Sequence, residues 1–190
     1  GLLFEVVIGV VALIFSDDLS LLMKELAESI NLSVGVVVAG IVLFASNTTS
    51  ITAVSVSLEG KSYWLTRSLP VSTVDILNAK VKVQDILAVS TAVVACLCVG
   101  IASKIGVTET VFATAVVVPS IMFFSRLGLL LNLKFPNLKY TNEIIVIKQS
   151  MSIFLAILIS SVSDLAIVFG GIFLGFVPSW LLCVIFAVLF

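Results

Sequence analysis

Residues 73–103 read TVDILNAKVKVQDILAVSTAVVACLCVGIAS, and the next apolar run, 111–131, reads VFATAVVVPSIMFFSRLGLLL. About 20 predominantly apolar residues are enough for an α-helix to cross the roughly 30 Å hydrocarbon core of a bilayer, and each run meets that length. Outward from this pair, polar punctuation divides the chain into six such runs: 1–15, 32–56, 73–103, 111–131, 151–174 and 178–190. The first and last are too short to cross. The chain is therefore expected to begin and end inside helices of a longer protein.

Composition agrees with this reading. Of the 190 residues 61% are apolar, and the mean hydropathy is +1.31, which marks an integral membrane chain. The formal net charge is -1 and there is no histidine. That combination argues against a nucleic-acid partner and leaves no imidazole for metal binding or triad chemistry. Cys96, Cys98 and Cys183 lie inside apolar runs. Cys96 and Cys98 point to different faces of a helix, so the cysteines read as small hydrophobes and not as a disulfide or zinc framework. No cofactor and no metal site are expected. The expected fold is all-α, a single polytopic membrane helix bundle over 1–190 with six spans, the outer two truncated.

Lysine and arginine orient the bundle, because short loops rich in positive charge stay in the cytoplasm. Lys61, Arg67, Lys80 and Lys82 fall between the second and third spans, and Lys134, Lys139 and Lys148 between the fourth and fifth. Only Lys24 and Lys104 fall on the other side, with Arg126 inside a span. Both ends of the chain are thus expected in the cytoplasm. The first outer connection, SDDLSLLMKELAESIN over 16–31, places Leu19, Leu22, Met23 and Leu26 at helical spacing with acids at its start. This predicts an amphipathic helix at the membrane interface, with Asp17 or Asp18 complementing its dipole.

A charge at membrane depth costs several kcal/mol unless it is paired or hydrated. Asp164, about 20 Å into its span at 1.5 Å per residue, either lines a substrate path or carries a proton, or is a buried group bonded to Ser160, Ser161, Ser163 or another helix. Arg126 either snorkels toward the headgroups or reaches up to Asp164. Asn47, Thr48, Thr49, Ser50, Thr52, Ser55 and Ser57 make the inner half of the second span polar; they either glue helices together or line a path. The candidate translocation residues are Asn47, Thr48, Thr52, Arg126 and Asp164.

The connection after the second span carries the most information. It reads SLEGKSYWLTRSLPVSTVDILNAK over 57–80. Residues 63–69 suit a short interfacial helix anchored by Trp64 and Leu65. Pro70 ends it, and Ser72 or Thr73 can cap the next helix. Composition alone fits an ordinary connector with an aromatic belt. The order of residues is more specific: Glu59-Gly60-Lys61, Trp64-Leu65, Arg67-Ser68-Leu69-Pro70-Val71-Ser72, Ile76-Leu77 and Lys80 resemble the coupling segment of bacterial ABC exporter permeases of the type-2 membrane-domain family. The stretch LKFPNLKYTNEIIVIKQSM over 133–151 resembles an inner loop of large Gram-positive members.

This resemblance implies a permease half, the C-terminal one of a longer chain, in the bacterial cytoplasmic membrane. Its partners would be an ABC ATPase subunit and a second permease half or dimer mate. Glu59, Gly60, Lys61, Trp64, Arg67 and Pro70 would form the coupling helix seated in the ATPase. The chain holds no GxxxxGK[ST] phosphate loop, so it is not expected to be an enzyme itself. The alternative is an ion-coupled carrier or channel without an ATPase, working through Asp164 and Arg126.

Overall fold

The computed structural model describes residues 2–30, 33–47, 51–62, 68, 70–137 and 150–173. It contains six α-helices and, among the described residues, no strand: α1 (Leu2–Ile14), α2 (Ser16–Ile30), α3 (Val34–Asn47), α4 (Thr73–Ala102), α5 (Val107–Lys134) and α6 (Met151–Phe173). A 3₁₀ segment, Ser57–Ser62, lies between α3 and α4. The helices α4 and α5, of 30 and 28 residues, are long and apolar enough to cross a membrane. They pack against each other, α1 lies against α4, and α3, α5 and α6 each pack against the other two.

The six spans expected from the sequence, the outer two truncated, are not supported: among the described residues two helices are long and apolar enough to cross, or three if the bent pair α1–α2 is one span. α1 and α2 meet at 102°, so this pair is one bent unit or a helix followed by a surface helix. α3 has only 14 residues, about 21 Å at 1.5 Å per residue. The expected continuous run 32–56 breaks after Asn47, and residues 52–56 form turns instead. The run 178–190 lies outside the described residues.

Local chemistry accounts for the ends that match. Ser72 caps α4, its hydroxyl accepting from the Val74 N–H at 3.2 Å, with Asp75 in the first turn; both satisfy the free N–H groups and dipole at a helix start. α5 continues through Pro119. Between α4 and α5 the chain reverses at Lys104, whose φ is +53°. Just below this reversal a Cβ on Gly100 would lie 2.7 Å from the side chain of Thr110, so glycine permits the close approach of the two helices. Gly100→Val is expected to lower stability by about 1–3 kcal/mol through overpacking. Thermal unfolding in detergent would measure the loss, and Thr110→Ala should recover part of it.

The interior is built from small and β-branched side chains: Ala39, Val42 and Leu43 of α3, Ala88, Ala92, Ala95 and Cys96 of α4, and Ala113, Val116, Val117 and Ile121 of α5. Large apolar side chains point outward, among them Leu3, Phe4, Ile86, Ile101, Leu130 and Phe154. Small residues inside with bulky apolar residues outside is the pattern expected where lipid is the solvent, because close backbone approach and not hydrophobic exclusion holds such helices together.

The predicted amphipathic helix forms as α2. Met23 and Ala27 are buried, Leu19 packs on a cluster with Ala12, Val38 and Val99, and Leu22 and Leu26 remain exposed. Asp17 in its first turn accepts from Lys104 Nζ at 2.6 Å. That bond holds the Asp17 carboxyl below its usual range. With side chains 85% and 60% exposed the pair stabilises little. What it contributes is present above the ordinary carboxylate range and disappears as pH falls through the lowered value.

Candidate functional site

In the polar half of the expected second span, residues 52–56 form turns that run into the 3₁₀ segment. Thr52, Ala53, Val54, Val56 and Ser57 are all buried. Irregular backbone at membrane depth is tolerated only where protein or a water-filled cavity satisfies its N–H and C=O groups. Here side chains from three helices do so. Gln84 of α4 accepts from the Ile51 N–H at 3.0 Å. Asn132 of α5, with no exposed surface, accepts from the Val56 and Ser57 N–H groups at 2.9 and 3.0 Å. Its amide donates to Ser57 Oγ at 2.7 Å and Ser152 Oγ at 3.1 Å. Ser152, at the start of α6, donates to the Ala53 carbonyl at 3.0 Å. Both ends of the Asn132 amide are thus used.

This clamp passes directly into the stretch singled out for coupling. Glu59 forms an ion pair with Lys80 of α4, and Lys80 also donates to the Ser55 carbonyl at 3.0 Å. Gly60 and Lys61 continue the 3₁₀ segment. Trp64 and Arg67 lie outside the described residues, as does the stretch 138–149. Pro70 is exposed just before the Ser72 cap.

Among the candidate translocation residues, Asn47 and Asp164 come together. Asn47 Nδ2 donates to Asp164 Oδ2 at 2.6 Å. The other oxygen, Oδ1, is buried and has no partner among the described residues, and Asp164 is 5% exposed. Its own-helix serines do not bond to it: Ser160 and Ser163 donate to the Ile157 and Ile159 carbonyls. The partner is instead the last residue of α3, where the helix breaks. Thr52 is fully buried in the turn below, its hydroxyl unpartnered. Thr48 lies outside the described residues.

Arg126 does not reach Asp164. Its guanidinium pairs with Asp85 of α4 at 3.4 Å and donates to the Met122 carbonyl. It lines a groove of about 340 Å³ between α4 and α5 with Lys82, Leu129 and Leu133. The acid one turn-set away on the neighbouring helix captures it first, and half of it stays exposed.

Beside the Asn47–Asp164 bond is a small polar cavity lined by Ser46, Asn47, Gln84, Ser125 and Ser160, with Ile121, Phe124 and Ala156. Its volume of about 20 Å³ is enough for one water, which needs roughly 10–15 Å³ by the same measure. On the other side of Ser46 lies Glu5 of α1, with no exposed surface and neither carboxyl oxygen hydrogen-bonded. Glu5, Gln84 and Asn132 were not candidates from the sequence. A lone glutamate inside GLLFEVVIGV was the available signal for the first; Asn132 stands beside Lys134 and reads as the polar margin of a span. Among the described residues no three cysteine or acidic side chains converge as metal ligands. Comparison of the chain with protein-family models, curated proteins and solved structures finds no match.

Proposed function

We propose that this chain is the membrane permease part of an ATP-driven exporter, the C-terminal half of a longer permease in a bacterial cytoplasmic membrane. Both of its ends would be cytoplasmic. An ABC ATPase would dock on residues 59–70, and a second permease half or dimer mate would complete the path. The order of residues from Glu59 to Lys80 supports this reading.

The observation that carries it is the clamped segment 51–59. A displacement applied at Glu59 meets Lys80 of α4, Asn132 of α5 and Ser152 of α6, so it is delivered to three helices at once. That is what a lever on a packed, bistable bundle requires. Replacing Trp64 or Gly60 by alanine in the complete complex is expected to uncouple substrate-stimulated ATP hydrolysis while leaving the bundle folded. Full stimulation in both variants would overturn the assignment.

A second reading, an ion-coupled carrier, is favoured by one specific observation. α3 breaks at the residue that holds Asp164, and broken helices at membrane depth are where secondary carriers assemble their ion sites.

A further inference from the structure

Glu5 is a carboxyl fully buried inside the bundle. Its polar neighbours are the hydroxyls of Thr91 on α4 and Ser46 on α3. Thr91 already donates to the Leu87 and Ala88 carbonyls at 3.0 and 3.1 Å, and Ser46 donates to the Val42 carbonyl at 2.9 Å. Each hydroxyl has one proton to give. A hydroxyl that donates to the backbone keeps lone pairs that can accept from an acid O–H. An isolated carboxylate in apolar surroundings is strongly disfavoured, so a fully buried carboxyl that no cation pairs with among the described residues favours its neutral form.

The charged and titratable groups that face this point are few. Cys96 faces it from α4, and Cys98 packs one turn further along α1, against Gly9. From α3 Ser46 faces it, and it does not titrate. The acids and Lys24 of α2 lie beyond the bend, where Asp17 is taken by Lys104. Around Asp164, α3 presents Asn47, and the one cation of the α5 interior, Arg126, is held by Asp85. Among the described residues no cation forms an ion pair with Glu5 or Asp164.

Ser46 and Asn47 are consecutive, and both line the water-sized cavity. One borders Glu5; the other holds Asp164. We propose that Glu5 is a proton-binding carboxyl of the bundle interior, its acid O–H donating to Ser46 or Thr91, and that it is coupled to Asp164 through the Ser46–Asn47 edge of this cavity. The proton is taken from and returned to water, one per carboxyl, with no other reactant. The inference does not rest on the permease reading; it concerns the bundle alone.

The test uses the full-length protein in liposomes and an apolar carbodiimide, which reacts with protonated carboxyls inside membranes. Adducts are mapped by peptide mass spectrometry across a pH series, with sodium or choline as the salt. The expected result is an adduct at Glu5 that is lost as pH rises, is the same in both salts and is absent in Glu5→Gln. In Asp164→Asn, removal of a nearby acid should move the loss of Glu5 labelling to lower pH. Suppression of the adduct by sodium at constant pH would identify a metal cation as the occupant and overturn the proton assignment. Absence of an adduct at Glu5 at every pH would overturn it too, and an unchanged profile in Asp164→Asn would overturn the coupling. Wild-type labelling needs no variant to fold, so the first part stands on its own.

Discussion

Asn132→Leu is expected to cost about 3–5 kcal/mol, the largest loss from a single side chain in this bundle. The substitution keeps the number and branching of side-chain heavy atoms but strands the Val56 and Ser57 N–H groups in a buried site, and each stranded donor costs about 1–3 kcal/mol. It also removes the donor to Ser57 and Ser152. For a domain of this size the change corresponds to a fall in Tm of roughly 10 °C, read by thermal unfolding in detergent. Ser152→Ala removes the bonds to the Ala53 carbonyl, the Asn132 amide and Ser150 but strands no backbone N–H, and should cost less, about 1–2 kcal/mol. If Asn132→Leu unfolded no earlier than Ser152→Ala, the clamp would not hold the segment in place.

The second large effect is at the Asn47–Asp164 bond. Asn47→Leu leaves the buried Asp164 carboxyl with neither oxygen bonded and should cost about 2–3 kcal/mol. Asp164→Leu alone should cost less, because it removes a group that is already half unsatisfied. The double variant should then be more stable than Asn47→Leu, with a coupling energy of about 1–3 kcal/mol. Additive losses would mean that the two side chains act independently.

Hydropathy made the long helices legible. The run 73–103 became α4 (Thr73–Ala102), and 151–174 became α6 (Met151–Phe173), each within a residue of the expected limits. Ser72 and the acids of α2 marked their helix starts for the ordinary reasons of capping and dipole. The second span failed because its hydropathy says nothing about backbone hydrogen bonds. Ser55, whose hydroxyl donates to the Thr52 carbonyl at 3.1 Å, offers the backbone a local alternative to a helix. The turn that follows is stable only because Gln84, Lys80, Asn132 and Ser152, distant in sequence, meet its N–H and C=O groups.

The candidate site was legible to the same limited degree. Asn47 and Asp164 stood out as polar groups in apolar runs, and their meeting across 117 positions of sequence is a matter of packing that no spacing reveals. Arg126 had two acids within conceivable reach, and the helix pairing α4–α5 decided for Asp85. Glu5 passed as part of an apolar run because a single acid scarcely changes the average of its window.

The central claim is that the segment entered through Glu59 receives force from a partner ATPase. A single cysteine at Trp64, in the full-length protein lacking Cys96, Cys98 and Cys183 and expressed with the ATPase encoded beside it, tests this by crosslinking. The account predicts a crosslink to the ATPase whose yield changes between nucleotide-free and ATP-bound states. A folded, active protein that gives no crosslink at this position or its neighbours, and that retains no ATPase on purification, would contradict it.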